Sequence, residues 1–559
     1  VGGAAAGAMM LARFFDSYYR LRPVNATFTG VHDYDERLPD WSPDGLAAAL
    51  DEMRALRASL TPAAGPPADL HDVGERDRQL AAAFLDVQIA ELESRHFQRG
   101  NPSLAAGEAI FSVIALMTRR FAPVAERAEA AIARLAALPV FLEGARLSID
   151  AGIPDEWRAK CVRECEGASR LLGDGIRRWV AVEEIDESRA ERLLAGAGRA
   201  RAAFEEFRKW VADGAASAAP HRYACGAELL GLLLTRGHWS QRPADALAVE
   251  AQHALEEALE TLRTRALAIA PGGWAEVQQR LNAAHPDVDG YLPAFQREWD
   301  ACRARAAERS LVSWPDYPIR YVPIPEHTRD AAPLLYYLFY RSPAPFDRLP
   351  VHDYVVTPVD AAMRREEQVR RLQATNTSVI KLNHVVHHGA IGHHVQNYHA
   401  YHGASEIGRV AAVDCASRIG MFLGGTMAEG WACYATDLMD DAGFFTPEES
   451  VAQQHTRARL LARAVVDIGL HTGGLSFDAA VAVYRDRVAM PPEAARAEAC
   501  KNSMFPGTAL MYWLGTEGLH SLRRERERTE GATFSLRKFH DRVLSFGSIP
   551  VPLIVELMS

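Results

Sequence analysis

His384-Val385-Val386-His387-His388-Gly389-Ala390-Ile391-Gly392-His393-His394-Val395-Gln396-Asn397-Tyr398-His399-Ala400-Tyr401-His402 holds seven of the chain's 20 histidines. Neutral imidazole is the commonest side-chain ligand for zinc and other borderline metals. Successive helical residues are about 100° apart, which puts His384, His387, His388 and His394 within a sector of about 120°. On an unbroken helix His387 and His394 would be roughly 10.5 Å apart along the axis. One cation cannot bind both at ~2.1 Å unless the helix is bulged or unwound between them. Gly389 and Gly392 stand where a π-bulge or a looser turn could do this. The second ligand after His387 is then His393 or His394. His384 and His388, four apart, form another possible pair, while His399 and His402 read as ordinary helix histidines.

Further on lies Met427-Ala428-Glu429-Gly430-Trp431-Ala432-Cys433-Tyr434-Ala435. Two histidines on one helix and a Glu from a later one make a metallohydrolase arrangement, so Glu429 is the natural third ligand. The small residues of Gly430-Trp431-Ala432 would let this second helix approach the histidine-bearing one closely. Two neutral imidazoles and one carboxylate leave a divalent cation with a net charge of +1, a site that favours anionic ligands.

Helical periodicity extends outward from this region in both directions. Apolar residues recur at three and four over 43–60, 76–97, 130–149, 157–180, 244–267 and 274–281, with breaks at Pro139 and Pro154. The exception is the segment 314–358, rich in proline and aromatics, where Ile319 to Ile324 and Tyr354 to Thr357 read as short strands. Its aromatic stretch from Tyr336 to Tyr354 hints at a pocket wall. Helices resume from Ala361 to the end. The expected fold is mainly α: a large helical body with a central cleft and a small β element around 314–358. Residues 1–10 read as a tag or disordered start, and 11–559 as one large domain with two lobes, about 11–310 and 311–559.

Sixty-two basic and 72 acidic residues give a net charge of −10. That argues against nucleic acid, which needs a basic face. No stretch approaches a membrane-spanning length, and no membrane partner is expected. Seven cysteines without repeated spacing make no disulfide framework. Together with an opening that lacks a basic start and an apolar core, they point to a cytoplasmic location.

His387-x5-His393-His394-x-Gln396, followed by Glu429-Gly430-Trp431-Ala432-x-Tyr434-Ala435, resembles the bacterial domain-of-unknown-function family eight-eight-five. The usual form there is His-Glu-x-x-Pro-Gly-His-His-x-Gln and Glu-Gly-Trp-Ala-x-Tyr. The resemblance takes in Phe14-Phe15-x3-Tyr19-x-Leu21-Arg22-Pro23-x2-Ala26-Thr27-x2-Gly30. It also takes in Ala464 to His471 and Phe505-Pro506-Gly507-x-Ala509-Leu510-x-Tyr512-x2-Gly515. It implies a mostly helical protein similar to zinc metallopeptidases of the Glu-zincin type. Three departures matter. The family's Glu after the first His is His388, its Pro before Gly-His-His is Ile391, and its Arg-Tyr pair before Pro-Gly-Gln is replaced by Lys501 and Asn502.

These readings give a divalent-metal enzyme, most simply a zinc one, with iron, manganese or copper also accommodated. His387, His393 or His394, and Glu429 are the expected ligands, with His388 and Lys501 as catalytic candidates. The substrate is expected to be a small or peptide-like anion, changed by hydrolysis, elimination or rearrangement at a metal-polarised carbonyl. Two alternatives stand beside this: a divergent zinc metallopeptidase or amidohydrolase with His388 as base, and a metal-binding relative without catalysis. His388 is also a possible ligand. Arg457, Arg459 and Arg463 lie on one or two faces of a helix, and the family resemblance makes one of them a candidate for an active-site role. Tyr434 and Tyr512 read as core aromatics, and His471 as a packed helix-end histidine or a support to the site.

Overall fold

A computed structural model describes residues 2–60, 69–150, 152–213, 220–335, 343–347, 349–413 and 417–559, without the side chains of residues 2–8, 220 and 221. Helices dominate, and the only sheet among the described residues has two strands. The mainly α expectation holds, with the small β element inside 314–358. Tyr336, Tyr337, Phe339 and Tyr340 of the aromatic stretch, and Cys415, lie outside the described residues. Among the described residues no helix is long and apolar enough to cross a membrane.

The chain forms two compact units, one of residues 1–225 and 324–349, the other of 226–323 and 350–559. The expected lobe boundary near residue 310 lies inside the second unit. The opening stretch read as a tag or disordered start is part of helix Gly2–Leu21.

In the first unit, Pro23 opens helix Pro23–Thr29, where a missing N–H costs nothing, and Gly30 closes it at φ 87°. The motif around Arg22 and Thr27 is explained by what it packs against. Arg134 is wholly buried and donates to Thr27 Oγ1 at 2.7 Å, Ser112 O at 2.7 Å and Pro23 O at 3.2 Å. The charge is thus spread over acceptors, as a buried guanidinium requires. Pro139 does not break its helix, which runs Val124–Ser148. Leu135, Leu138 and Leu142 continue one buried face past it, and that packing outweighs the lost hydrogen bond.

The second unit carries the histidines. Strands β1 (Ile319–Pro323) and β2 (His352–Val356) pair in parallel, Tyr321 opposite Tyr354. A parallel pair needs a long crossover, and most of this one, 324–349, belongs to the first unit. Alternation places Tyr321 and Tyr354 on the same side of the sheet. Both reach the histidine helix: Tyr321 Oη donates to His384 O at 3.1 Å, and Tyr354 Oη lies 2.9 Å from His384 Nδ1.

Candidate metal centre

Residues Ile380–Gly389 form a π-helix. Its i→i+5 bonding widens the coil and turns successive residues through less than the α-helical 100°. His387 and His388 therefore lean to one side, their ring centroids 4.7 Å apart. The backbone then breaks, and a new helix, His393–His402, starts at the second histidine pair. The break is the unwinding expected at the two glycines. A Cβ on Gly392 would lie 1.9 Å from His387 O, so only glycine fits a turn this tight. The turn is pinned from outside by Trp431 Nε1, which donates to Ile391 O at 2.9 Å.

The result is a compact cluster. One ring nitrogen from each of His387, His388 and His393 lies within 4.8 Å of the others. Glu429, buried on helix Gly425–Asp441, points a single oxygen at two of them: Oε2 is 3.4 Å from His387 Nε2 and 3.5 Å from His393 Nε2. Those separations are long for charge-assisted hydrogen bonds, which fall near ~2.8 Å. They match the edge of a tetrahedron with ~2.1 Å bonds, about 3.4 Å. Oε2 is also buried without a hydrogen-bond partner, a costly state for a carboxylate oxygen unless a cation completes it. These residues fit a divalent metal ion.

Burial holds His387 below the ordinary histidine range, and His388 well below it. Both rings are thus neutral, the form that binds a cation. His388 Nδ1 lies 2.7 Å from Asn383 O. Acting as donor there, the ring keeps Nε2 as its lone-pair nitrogen, the tautomer that metal-bound histidines adopt when a carbonyl orients them.

His394 is not part of the cluster. Its Nε2 bonds Tyr317 O at 2.7 Å, and its ring stacks on Tyr317 at 5.1 Å. A helix turns neighbours apart, so the first residue of the new helix faces the cluster and the second faces away. Of the two candidates, His393 is the one brought to Glu429. Lys501 lies on helix Pro492–Met504, where its charge acts on Glu498. His384 is held by Tyr354, His399 bonds Ser313 O and His402 bonds Tyr398 O. His471 is a packed helix-end histidine on Asn502 O, and Tyr434 Oη pairs with buried His540.

Sequence patterning left unresolved which arginine matters. Arg463 Nε donates to Glu498 Oε1 at 2.5 Å, and its guanidinium lies 5.1 Å from the Tyr512 ring centroid. Its charge acts on His387 and on Cys433. Arg457 is instead paired with Asp437 and Glu517.

A family model described as "Bacterial protein of unknown function (DUF885)" matches residues 23–558. The chain belongs to this family. Two solved structures resemble the DUF885 chain over its whole length. One is a candidate lipoprotein of unknown function from Shewanella oneidensis, 21% identical, with 99% of each chain covered and a TM-score of 0.76. The other is a candidate lipoprotein from Colwellia psychrerythraea, 16% identical, covering 100% of the DUF885 chain and 99% of its own, with a TM-score of 0.79. At these identities the likeness is one of fold. No curated protein matches. The lipoprotein descriptions overturn the cytoplasmic location expected above. The cysteines never discriminated compartments: five of the six described are buried thiols, which stay reduced by inaccessibility wherever the protein resides.

Proposed function

We propose that this chain is a metal-dependent enzyme on a zinc-metallopeptidase-like scaffold, with His387, His393 and Glu429 as ligands of a divalent cation and His388 as a further imidazole donor. The substrate is a small anionic or peptide-like molecule that reacts at a carbonyl. One observation carries the reading: the buried Glu429 Oε2 has no hydrogen bond and stands at tetrahedral-edge distance from two ring nitrogens. A bound cation would supply Lewis-acid polarisation of that carbonyl. Zinc suits the set best, and iron or manganese also suit an imidazole-rich one.

The chain's own groups then divide the work. Asn383 O fixes the tautomer of His388, the paired tyrosines of β1 and β2 hold the π-helix through His384, and Trp431 holds the turn between the two histidine pairs. Glu429 offsets part of the cation's charge. No carboxylate occupies the position after His387, and an imidazole bound to the cation through Nε2, with Nδ1 held by Asn383 O, has no lone pair left to take a proton. This favours reactions in which a polarised carbonyl stabilises negative charge over those that need a strong base.

The test is elemental analysis of the purified protein, with Glu429→Gln and His393→Ala as variants. About one tightly held transition metal per chain, lost in both variants, is expected. Full-length protein that takes up no metal after incubation with zinc, manganese or ferrous iron overturns the proposal. A second reading, hydrolysis with His388 as base, draws on the lone pair that the Asn383 bond leaves on Nε2. Under it, His388→Ala abolishes peptide cleavage while metal content stays unchanged. Loss of metal in that variant favours the ligand role.

A further inference from the structure

Helix Pro447–His471 carries Arg459 and Arg463 one turn apart, on one face of the helix. Two guanidiniums at that spacing repel each other, and burial adds to the cost. Arg463 is compensated by Glu498. Arg459 feels that carboxylate only at a distance: it forms no hydrogen bond or ion pair among the described residues, and its Nε is buried without a partner. Burial, reinforced by Arg463, holds its pKa below the ordinary arginine value. The residue is only partly buried, so its terminal N–H groups are open to an acceptor from outside the chain.

Several contacts place the pair beside the metal centre. Arg463 stands over Tyr512. Tyr512 lies one turn ahead of Gly515, where a Cβ on Gly430 would meet the Gly515 Cα at 2.5 Å. Gly430 adjoins Glu429. Cys433, one helical turn beyond Glu429 on the same face, interacts electrostatically with both arginines. Lys501, three residues after Glu498, adds a third cation near that one carboxylate.

We infer that Arg459, backed by Arg463, receives a carboxylate group of the substrate next to the His387–His393–Glu429 centre. As a substrate subsite the assignment rests on the metal-centre reading; as an anion site it stands on the arginines alone. The guanidinium fork fits a planar carboxylate through two parallel N–H···O bonds. A substrate anchored this way would present a carbonyl a few bonds from its carboxylate, the geometry of an acyl amino acid or a short dicarboxylic acid.

The experiment uses the full chain and succinate as probe, with its diamide as the uncharged control. Binding is read by calorimetry on protein loaded with zinc and on protein stripped by chelator, beside elemental analysis of each sample. Succinate should bind in both states and its diamide in neither, and Arg459→Gln should weaken succinate at least about tenfold while metal content holds. Arg459→Lys should recover only part of the loss, which separates a directional contact from bulk charge. If succinate binds but no metal is ever retained, the anion site stands and the metal-centre reading fails. Succinate affinity unchanged in Arg459→Gln, in a variant whose melting matches the parent, overturns the inference, as does inorganic phosphate binding more tightly than succinate at the same residue.

Discussion

Replacing the Glu429 carboxylate with an amide removes one charge and little volume. Glu429→Gln should lower metal affinity at least about 100-fold, measured by competition with a chelating dye. The metal-free variant should melt no lower than the metal-free parent, because Oε2 is buried without a hydrogen bond and such a group costs about 1–3 kcal/mol. His388→Glu places a carboxylate directly after His387, the order of the pattern that the sequence resembles. It should raise hydrolysis of dipeptides or acyl amino acids at least about tenfold, since a positioned base contributes ~10²-fold or more; unchanged rates would show that the base is not what was lost. At this scale His387 and Glu429 were legible, because ligand chemistry restricts residue type. The choice between His393 and His394 was not. It depends on where the new helix starts, and two adjacent histidines share the same spacing to within one residue. Arg459 was equally opaque beside Arg457 and Arg463, since pairing with Asp437, Glu517 and Glu498 is a tertiary fact.

Helices Gly425–Asp441 and Met511–Glu530 cross at Gly430 and Gly515. A Cβ on Gly430 would meet the Gly515 Cα at 2.5 Å, and one on Gly515 would meet Thr426 O at 1.9 Å. Gly→Ala inside a helix ordinarily gains up to ~1 kcal/mol. Here backbone blocks the methyl, so Gly430→Ala should destabilise by about 1–3 kcal/mol, seen in denaturant titration, and should weaken metal binding by displacing Glu429. The sequence called for a close approach of this helix to the histidine helix at Gly430-Trp431-Ala432; the backbone that Gly430 meets is instead that of Gly515. The π-helix was foreshadowed by Gly389 and Gly392, yet its extent, Ile380–Gly389, depends on the tyrosines of β1 and β2 far away in sequence.

The division into units was the least legible feature, because it depends on 324–349 returning to the first unit. Within that unit His32 joins the two stretches, with Nδ1 2.8 Å from Asp35 and Nε2 2.9 Å from Asp347. Burial alone would lower its pKa; the carboxylates of Asp347 and Asp35 prevail and raise it to about 9. A raised value stabilises the fold fully below the unfolded value near ~6.5, and the gain is lost as pH rises through about 9. Melting of the parent should therefore fall between those pH values by an amount equivalent to about 1–2 kcal/mol, after allowance for partial exposure. His32→Ala should be flatter over the same range.

Most of the crossover joining β1 to β2 lies in the other unit, and this sets an order of assembly. A chain emerging from the ribosome has released all of 226–323 before it delivers 324–349. The first unit must wait, incomplete, while almost a hundred residues foreign to it pass by. The histidine-bearing half cannot seat its second strand until that wait has ended. Maturation is thus interleaved, and a single cut that keeps either half whole must also carry away a piece of the other.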